Sequence, residues 1–271
     1  MRRRFGQQLR LGVARGGVAL VKTSRWGSVP ATVLAEAVLD AGAAAADPAA
    51  ALAQAVTAVL ELGGHAGWPL TIVLADELVR LWQVTPPQHA TRLADLQAAA
   101  ALRFQGLYGE PAAGWELSAG WDAVHPFLAA ALPRALHGAL HQGAASQDMK
   151  VVEIVPQFVA LQNRWCGALK AGAWFGVVHD DVLTLGAVEG DAITAVRSCA
   201  VPAGADGDWL AGHLAREALR MNLPAPERAQ LWGSVPAAWC ESAAIACSQL
   251  GAPEPFGWSA QARLAASGSA P

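Results

Sequence analysis

Residues 173–201 read AWFGVVHDDVLTLGAVEGDAITAVRSCAV, which is three apolar runs separated by two short turns. The first turn contains Asp180 and Asp181, and the second spans residues 189–191. Acidic or glycine-containing turns between alternating apolar runs are typical of β-hairpins. The segment therefore predicts an antiparallel meander with strands at 173–179, 182–188 and 192–201.

The residues on either side place this meander inside a larger α/β unit. The short apolar run at 150–156 predicts a strand, and residues 157–169 predict a helix. After the meander, residues 204–222 repeat apolar side chains at roughly helical spacing, which predicts a second helix. The order strand, helix, meander and helix is expected of a domain that mixes helices with sheet.

The beginning of the chain echoes this order. Residues 9–14 and 18–22 alternate around a turn at 15–17, which predicts a first hairpin. Two successive halves that each open with a hairpin and continue with helices indicate two related α/β lobes. Between the two hairpins, the pattern predicts helices at 49–62, 91–104 and 133–141, and strands at 70–75, 78–84, 115–119 and 127–132.

Composition limits the classes of function. The chain has 271 residues, 54% of them hydrophobic, so it can bury a sizeable core. Its net charge of −3 argues against a nucleic-acid partner. The run Arg2-Arg3-Arg4 is expected to be a solvated tail, with weak attraction to anionic lipid as the alternative.

Membrane and export signals are not recognised in the sequence. Residues 41–60 are mostly alanine and are interrupted by Asp47-Pro48, which makes a poor membrane span. The polar residues 6–8 follow the arginines where a signal peptide would have an apolar core. We therefore expect a cytoplasmic protein.

Cysteine and histidine patterns predict neither a catalytic residue nor a metal site. Because the cysteines lack CxxC spacing, we expect small buried apolar side chains rather than zinc ligands or disulfide partners. His137 and His141 lie one helical turn apart, but no third ligand and no HExxH motif accompany them, so an exposed helix face is expected. The four cysteines are Cys166, Cys199, Cys240 and Cys247.

Five segments occur in an order shared with a known family: LGVARGG at 11–17, LTIVLA at 70–75 followed by 79–86 and a helix from Thr91, 127–132 followed by 151–156, 174–197, and 229–239. In this order the chain resembles the PilM family, the cytoplasmic actin-like proteins of type IV pilus machines. It is also similar to the related cytoplasmic parts of GspL and MshI-type proteins. The similarity covers residues 9–250.

The resemblance implies an α/β fold of the actin-like (ASKHA, ribonuclease H-like) type, with two lobes, mixed sheets and degenerate phosphate hairpins. Residues 1–146 would form the first lobe, with a small inserted subdomain at about 78–120, and residues 147–258 the second lobe. Residues 251–271 are rich in glycine, alanine, serine and proline, and residues 259–271 are expected to form a disordered tail.

The resemblance also locates a nucleotide site, and this sequence departs from it. Nucleotide-binding members carry an aspartate and small residues in both phosphate hairpins, but Ala14 and Val177 stand at the aspartate positions and His179 replaces a glycine. ATP hydrolysis is therefore not expected, and binding of ATP with Mg²⁺ without hydrolysis stays open as an alternative. The candidate nucleotide-binding residues are Gly12, Arg15, Gly16, Gly17, His179, Asp180, Asp181, Gly233 and Ser234.

Two classes of function stay open. The resemblance implies a non-catalytic adaptor of a type IV pilus, MSHA-like pilus or type II secretion platform at the inner membrane. It would bind the cytoplasmic segment of a PilN-like membrane protein between its lobes, contact other platform proteins, and reach the membrane only through partners. The alternative is a divergent actin-like ATPase or small-molecule kinase, which would need a phosphate-site aspartate and a general base.

Overall fold

The described residues form two five-stranded sheets and one three-stranded sheet. The computed structural model describes residues 6–24, 30–39, 47–190, 192–251 and 257–269. The predicted basic tail and Asp191 of the second turn lie outside these residues. Within the described ranges, no helix combines the length and the apolar character needed to cross a bilayer.

The strands and helices are named in chain order. The strands are β1 (Gln7–Ala14), β2 (Gly17–Ser24), β3 (Thr32–Val38), β4 (Pro69–Leu74), β5 (Arg80–Val84), β6 (Trp115–Ala119), β7 (Phe127–Pro133), β8 (Lys150–Pro156), β9 (Ala173–His179), β10 (Val182–Glu189), β11 (Ala192–Ala200), β12 (Arg228–Gly233) and β13 (Ala246–Gln249). The helices are α1 (Pro48–Gly63), α2 (Leu93–Tyr108), α3 (Arg134–Ser146), α4 (Gln157–Trp165), α5 (Gly207–Arg220), α6 (Ala237–Glu241) and α7 (Ala260–Ala266).

The two large sheets have the same topology. The first has the order β3-β2-β1-β4-β8, and the second has the order β11-β10-β9-β12-β13. In each sheet three antiparallel strands form a meander, and two further strands run parallel to the first strand of that meander. The predicted α/β fold with mixed sheets and a repeated meander is therefore confirmed.

Strand β1 shows how the first sheet is covered on both faces. Leu9, Leu11 and Val13 join the core that also contains residues of α1 and α3. The alternate side chains face α7, because Arg10 donates to the carbonyl oxygen of Ala265 at 2.7 Å and also to that of Ser267. This alternation follows from the two-residue period of a strand.

Residues 259–269 correct one expectation. They were expected to be disordered, but Ser259 caps α7 by accepting from the N–H of Ala262 at 3.0 Å. Ala262, Leu264 and Ala265 are fully buried. Small side chains on both surfaces allow this close packing, although the Ala- and Ser-rich composition of the segment is also typical of a linker.

Helix α4 fills the space between the two large sheets. Its Phe158 packs against Phe175 of β9, with ring centroids 5.2 Å apart. A Cβ atom on Gly186 of β10 would lie 2.6 Å from the ring of Phe158, so the glycine makes room for this contact. The opposite face of the second sheet packs on α5 and α6 through residues such as Leu185, Leu214 and Trp239.

The third sheet has the order β5-β7-β6 and is covered by α2. It corresponds to the predicted insertion at 78–120, but its strands extend from residue 80 to residue 133. Strand β8 was assigned to a second lobe beginning at residue 147, whereas it pairs with β4 and completes the first sheet. A short apolar run carries no information about its pairing partner, which explains the difference.

Candidate functional site

A groove of about 850 Å³ lies between the first sheet, the third sheet and α4. The edge strand of the first sheet, β8, forms one side, and β6 and β7 form the other. Ala192 and Ile193, at the start of β11, close one end. Its apolar lining includes Leu117, Ala119, Leu128, Ala130, Val151 and Ile154.

Two strand edges border this groove. Strand β8 is the last strand of its sheet and β6 is the last strand of its own, so in the described part of the chain each pairs on one side only. An edge strand presents backbone N–H and C=O groups that another extended segment can pair with. Val152 of β8, which is 55% exposed, adds an apolar side chain to the same wall.

Polar side chains line the groove near α3. His137 is half-buried and His141 is exposed, and their ring centroids lie 4.5 Å apart. Burial lowers the pKa of His137, and His141 lowers it further. The two histidines were expected on an ordinary exposed face, but both line the groove. No group of three or more potential metal ligands occurs among the described residues.

The first hairpin is closed by the protein's own groups. The backbone N–H of Arg15, in the turn between β1 and β2, donates to Oε1 of Glu77 at 2.6 Å. A carboxylate therefore occupies a backbone donor of the kind that cradles phosphates in nucleotide-binding hairpins. Glu77 belongs to a short 3-10 turn, Asp76–Leu78, which follows β4.

The glycines of this hairpin have packing roles. A Cβ atom on Gly12 would lie 2.2 Å from the carbonyl oxygen of Gln261 in α7. One on Gly17 would lie 2.5 Å from the carbonyl oxygen of Ala37 in β3. Both residues let backbones approach closely, which only glycine permits. Gly16 lies in the exposed turn, where a Cβ would be 3.4 Å from the side-chain nitrogen of Gln261.

The second hairpin turns at Asp180, whose φ of 50° is left-handed. The preceding His179 is buried, and its Nε2 lies 3.6 Å from Oδ2 of Asp180 without forming a hydrogen bond. Burial lowers the pKa of His179, while Asp180 and Glu77 raise it and Arg263 lowers it. The carbonyl oxygen of Asp181 accepts from the N–H of Val201 at 2.6 Å, so Asp181 helps to hold the meander together.

The late turn at Gly233 and Ser234 packs against the end of β9. A Cβ atom on Gly233 would lie 2.1 Å from the carbonyl oxygen of Val178, and its φ is 102°. The N–H of Ser234 donates to the same oxygen at 3.2 Å. Both residues therefore have a structural function beside His179.

The structure thus brings some of the predicted site residues together and separates others. The N–H of Arg15 donates to Glu77, and the charges of Glu77, Asp180 and Arg263 of α7 all act on His179. Gly12 and Gly17 instead face the neighbouring backbones of α7 and β3. This arrangement does not show whether any of these residues contacts a nucleotide, so their assignment as nucleotide-binding residues stays a prediction.

Asp76 is a functional candidate that the sequence reasoning missed. Its carboxylate is buried and accepts from the N–H of Phe158 at 3.0 Å, and the hydroxyl of Thr184 also donates to it. Burial raises its pKa to about 7. Asp76 follows β4, Phe158 is the second residue of α4 and Thr184 lies on β10, so one carboxylate joins both halves of the molecule.

The sequence does mark Asp76 and Glu77, because two adjacent acidic residues directly follow the buried strand 70–75. A carboxylate in such a turn is usually solvated, so neither residue was predicted to be functional. Gln157 was also missed, although it is buried and its Nε2 donates to Oγ of Ser267 at 3.1 Å. No local pattern predicts this contact, because Gln157 lies at the start of α4 and its partner follows 110 residues later in the chain.

Comparisons with known proteins agree with the geometry at the level of fold. No protein-family model matches the chain. No curated protein matches it either. Solved structures do resemble it, however, over most of their length.

Three of them cover at least 84% of both chains. A protein from Bacteroides thetaiotaomicron, described as having an actin-like ATPase fold and unknown function, is 10% identical over 86% of this chain and 84% of that chain, with a TM-score of 0.60. The cytoplasmic domain of EpsL, an inner-membrane component of the type II secretion system of Vibrio cholerae, is 11% identical over 95% and 92%, with a TM-score of 0.58. A chain of the PilM–PilN type IV pilus biogenesis complex is 16% identical over 90% and 88%, with a TM-score of 0.60.

Identities this low establish the fold and nothing finer. The repeated sheet topology, the helix between the sheets and these three structures point in the same direction. The chain has the actin-like fold that it shares with PilM-like and GspL-like proteins.

Proposed function

We propose that this protein is a non-catalytic adaptor of a pilus or secretion platform, and that its groove binds a short cytoplasmic segment of a PilN-like membrane protein. The observation that carries the proposal is the apolar groove bordered by the free edges of β8 and β6. The structural likeness to the PilM–PilN complex and to the EpsL cytoplasmic domain supports the same assignment.

The geometry of the groove favours an extended occupant. A segment that adds to a strand edge gains main-chain hydrogen bonds, and alternate side chains can enter apolar pockets for specificity. Leu117 and Ile154, on facing walls, supply such surfaces. A specific interface of about 1,200 Å² needs a segment of only modest length.

The closed first hairpin supports a role without ATP hydrolysis. Glu77 places a negative charge on the N–H of Arg15, where a phosphate would need a free donor. Neither hairpin carries the metal-holding aspartate expected of an actin-like ATPase. Ala14 and Val177 stand at those positions, and both are buried in apolar surroundings. Loss of such groups is compatible with a scaffold and would disable an ATPase.

The groove can be tested with a pair of surface variants. Val152 is 55% exposed in the groove, and Leu102 is 71% exposed on α2, outside its lining. We expect Val152→Lys to lower co-purification with the cytoplasmic segments of membrane proteins encoded beside the gene by at least about tenfold, which corresponds to about 1.4 kcal/mol. Leu102→Lys, the matched control, should bind like the unmodified protein.

Equal co-purification of both variants with the unmodified protein would refute the groove as the docking site. Cell fractionation tests the adaptor role separately. We expect the protein to be membrane-associated only when the neighbouring membrane protein is present. Membrane association that persists after every candidate partner is deleted, or a wholly soluble protein when all partners are present, would overturn the adaptor assignment.

A further inference from the structure

Two of the four cysteines lie against each other at the outer edge of the second sheet. The Sγ atoms of Cys240, at the end of α6, and Cys247, in β13, are 3.0 Å apart. Cys240 is exposed and Cys247 is half-buried. The expectation that the cysteines are buried is therefore wrong for Cys240, as it is for the exposed Cys166, whereas Cys199 and Cys247 are half-buried.

The surrounding contacts fix the position of both thiols. Trp239, next to Cys240, is fully buried, and its indole N–H donates to the carbonyl oxygen of Ala205 at 2.9 Å. Ser242 packs so closely on α5 that a Cβ atom on Gly207 would lie 2.0 Å from its Cβ. Cys247 is held in register with Ala229 of β12. Both thiols are thus presented from anchored backbone.

We propose that Cys240 and Cys247 form a reversible disulfide by thiol–disulfide exchange with a low-molecular-weight disulfide such as glutathione disulfide. Reactive cysteines that sense redox state are solvent-accessible and have a resolving cysteine beside them. Cys240 meets the first condition and Cys247 the second. The two thiols together provide the site.

The exchange balances in two steps. The Cys240 thiolate attacks one sulfur of the small disulfide, forming a mixed disulfide and releasing one small thiolate. Cys247 then loses its proton and attacks the Cys240 sulfur, which forms the internal bond and releases the second small thiolate. The two cysteines are oxidised by two electrons, the small disulfide is reduced to two thiols, and these take up the two protons.

The roles of the two sulfurs follow from their surroundings. Burial raises the pKa of Cys247 to about 12, and its contact with Cys240 contributes to the shift. Cys247 is therefore the less readily deprotonated thiol of the pair and a poor first nucleophile. The exposed Cys240 is the sulfur that an external disulfide can reach.

The remaining cysteines provide internal controls. Cys166 is exposed, but its thiol is directed at the carbonyl oxygen of Asn163, 3.4 Å away. Cys199 is half-buried beside His213, with 3.2 Å between Sγ and Nε2, and burial raises its pKa to about 11. Neither has a second thiol in contact, so Cys166 can accept a glutathione group but cannot release it by forming an internal bond.

The disulfide would tie α6 to the edge of the second sheet. Strand β13 has four residues and pairs only with β12 in the described chain. Closing the short loop between Cys240 and Cys247 restricts the unfolded chain and so favours the folded state. We expect the oxidised protein to unfold at a temperature about 5 °C higher than the reduced protein.

The test is to treat the full chain with glutathione disulfide and to follow free thiols and intact mass. We expect the Cys166→Ser variant, which has three thiols, to lose two of them without gaining glutathione, and dithiothreitol should restore both. In the Cys166→Ser/Cys247→Ser double variant, glutathione should stay attached to Cys240. Peptide mapping then identifies the Cys240–Cys247 bond.

Three results would overturn the proposal. One is a stable glutathione adduct on Cys240 while Cys247 is present. Another is failure of Cys240 to react under conditions that modify Cys166 in the unmodified protein. The third is an internal disulfide that involves Cys199. Each readout is made on folded protein, as checked by its circular dichroism before treatment.

Discussion

The two hairpins have the same pairing pattern but are enclosed in different ways. The first, β1–β2, is closed by chain that is distant in sequence, because Glu77 accepts from the N–H of Arg15 and α7 packs on Gly12. The second, β9–β10, ends in the buried His179 and is covered by the side chain of Phe158 at Gly186. At Gly12 the first hairpin therefore contacts backbone, whereas at Gly186 the second hairpin contacts a side chain that can adjust.

This difference teaches where the duplicated fold tolerates change. A carboxylate and a helix backbone fix the first hairpin, so small additions of volume there have no space. The second hairpin contains the ionisable ring of His179, whose Nε2 has no hydrogen-bond partner, and so the charge at this hairpin depends on pH. Asp76, which accepts from Phe158 of α4 and from Thr184 of the second hairpin, should produce the largest pH effect.

The first prediction concerns the substitution Asp76→Asn, which removes the ionisable carboxyl group. Because the folded protein raises the pKa of Asp76 from 3.8 to about 7, it binds the proton more tightly than the unfolded chain does. The stabilisation is complete below pH 4 and is lost as the pH rises to about 7, a change on the order of 4 kcal/mol. In Asp76→Asn, this loss of unfolding free energy should disappear.

Urea unfolding between pH 4 and pH 8 measures the effect. The lowered pKa of His179 works in the opposite direction, since its contribution is lost as the pH falls below about 6.5. A His179→Gln background therefore removes the opposing contribution of His179, and the lowered pKa values of His137 and His213 are shared by both proteins that are compared. Identical pH profiles for the Asp76→Asn protein and the unmodified protein would contradict the assignment.

The second prediction compares Gly12→Ala with Gly186→Ala. The new Cβ at position 12 meets backbone atoms of α7 at 2.2 and 2.7 Å, whereas at position 186 it meets the ring of Phe158 at 2.6 Å. We expect a loss of about 3 kcal/mol of unfolding free energy for Gly12→Ala and about 1 kcal/mol for Gly186→Ala, measured by urea unfolding.

Gly106 of α2 provides the control for the change from glycine to alanine. No atom lies within 4 Å of a Cβ at this position, so Gly106→Ala should stabilise the helix by about 0.5–1 kcal/mol. A larger loss at position 186 than at position 12 would show that the first hairpin is not the rigid one.

The third and smallest prediction concerns Glu77. Replacing it with alanine removes the acceptor from the N–H of Arg15, which should cost about 1 kcal/mol of stability. The freed N–H donor should also make the Glu77→Ala variant bind pyrophosphate more tightly than the unmodified protein does. Calorimetry of the unmodified protein with Mg-ATP should detect no micromolar binding. Micromolar Mg-ATP affinity in the unmodified protein, or phosphate release that is lost in Asp180→Ala, would refute this interpretation.

Elements with a local sequence signal were predicted better than elements whose burial depends on distant parts of the chain. Strands at 173–179 and 182–188 were identified because buried alternation and an acidic turn are local signals, and β9 and β10 agree within one residue. Strand β3 was missed because its side chains are mostly half-buried and carry no strong alternation. Helix α7 was missed because its burial depends on Gly12, far away in the chain.

The same distinction applies to the candidate site. Arg15 and His179 were recognisable from their places in predicted hairpins. Glu77 was not, because its contact with Arg15 spans 62 residues and depends on β1 and β4 lying side by side. The groove requires three sheets to be assembled, and no local pattern in β6 or β8 indicates that their free edges face one cavity.

Helix α7 also constrains the order in which the molecule can be made. Arg10 is buried, and its guanidinium is satisfied by the carbonyl oxygens of Ala265 and Ser267, about 255 residues later in the chain. During synthesis the second sheet can form from contiguous chain, while the first sheet keeps an uncovered face and an unpaired arginine until α7 has emerged. We therefore expect the half of the protein that is translated first to be the half that finishes folding last.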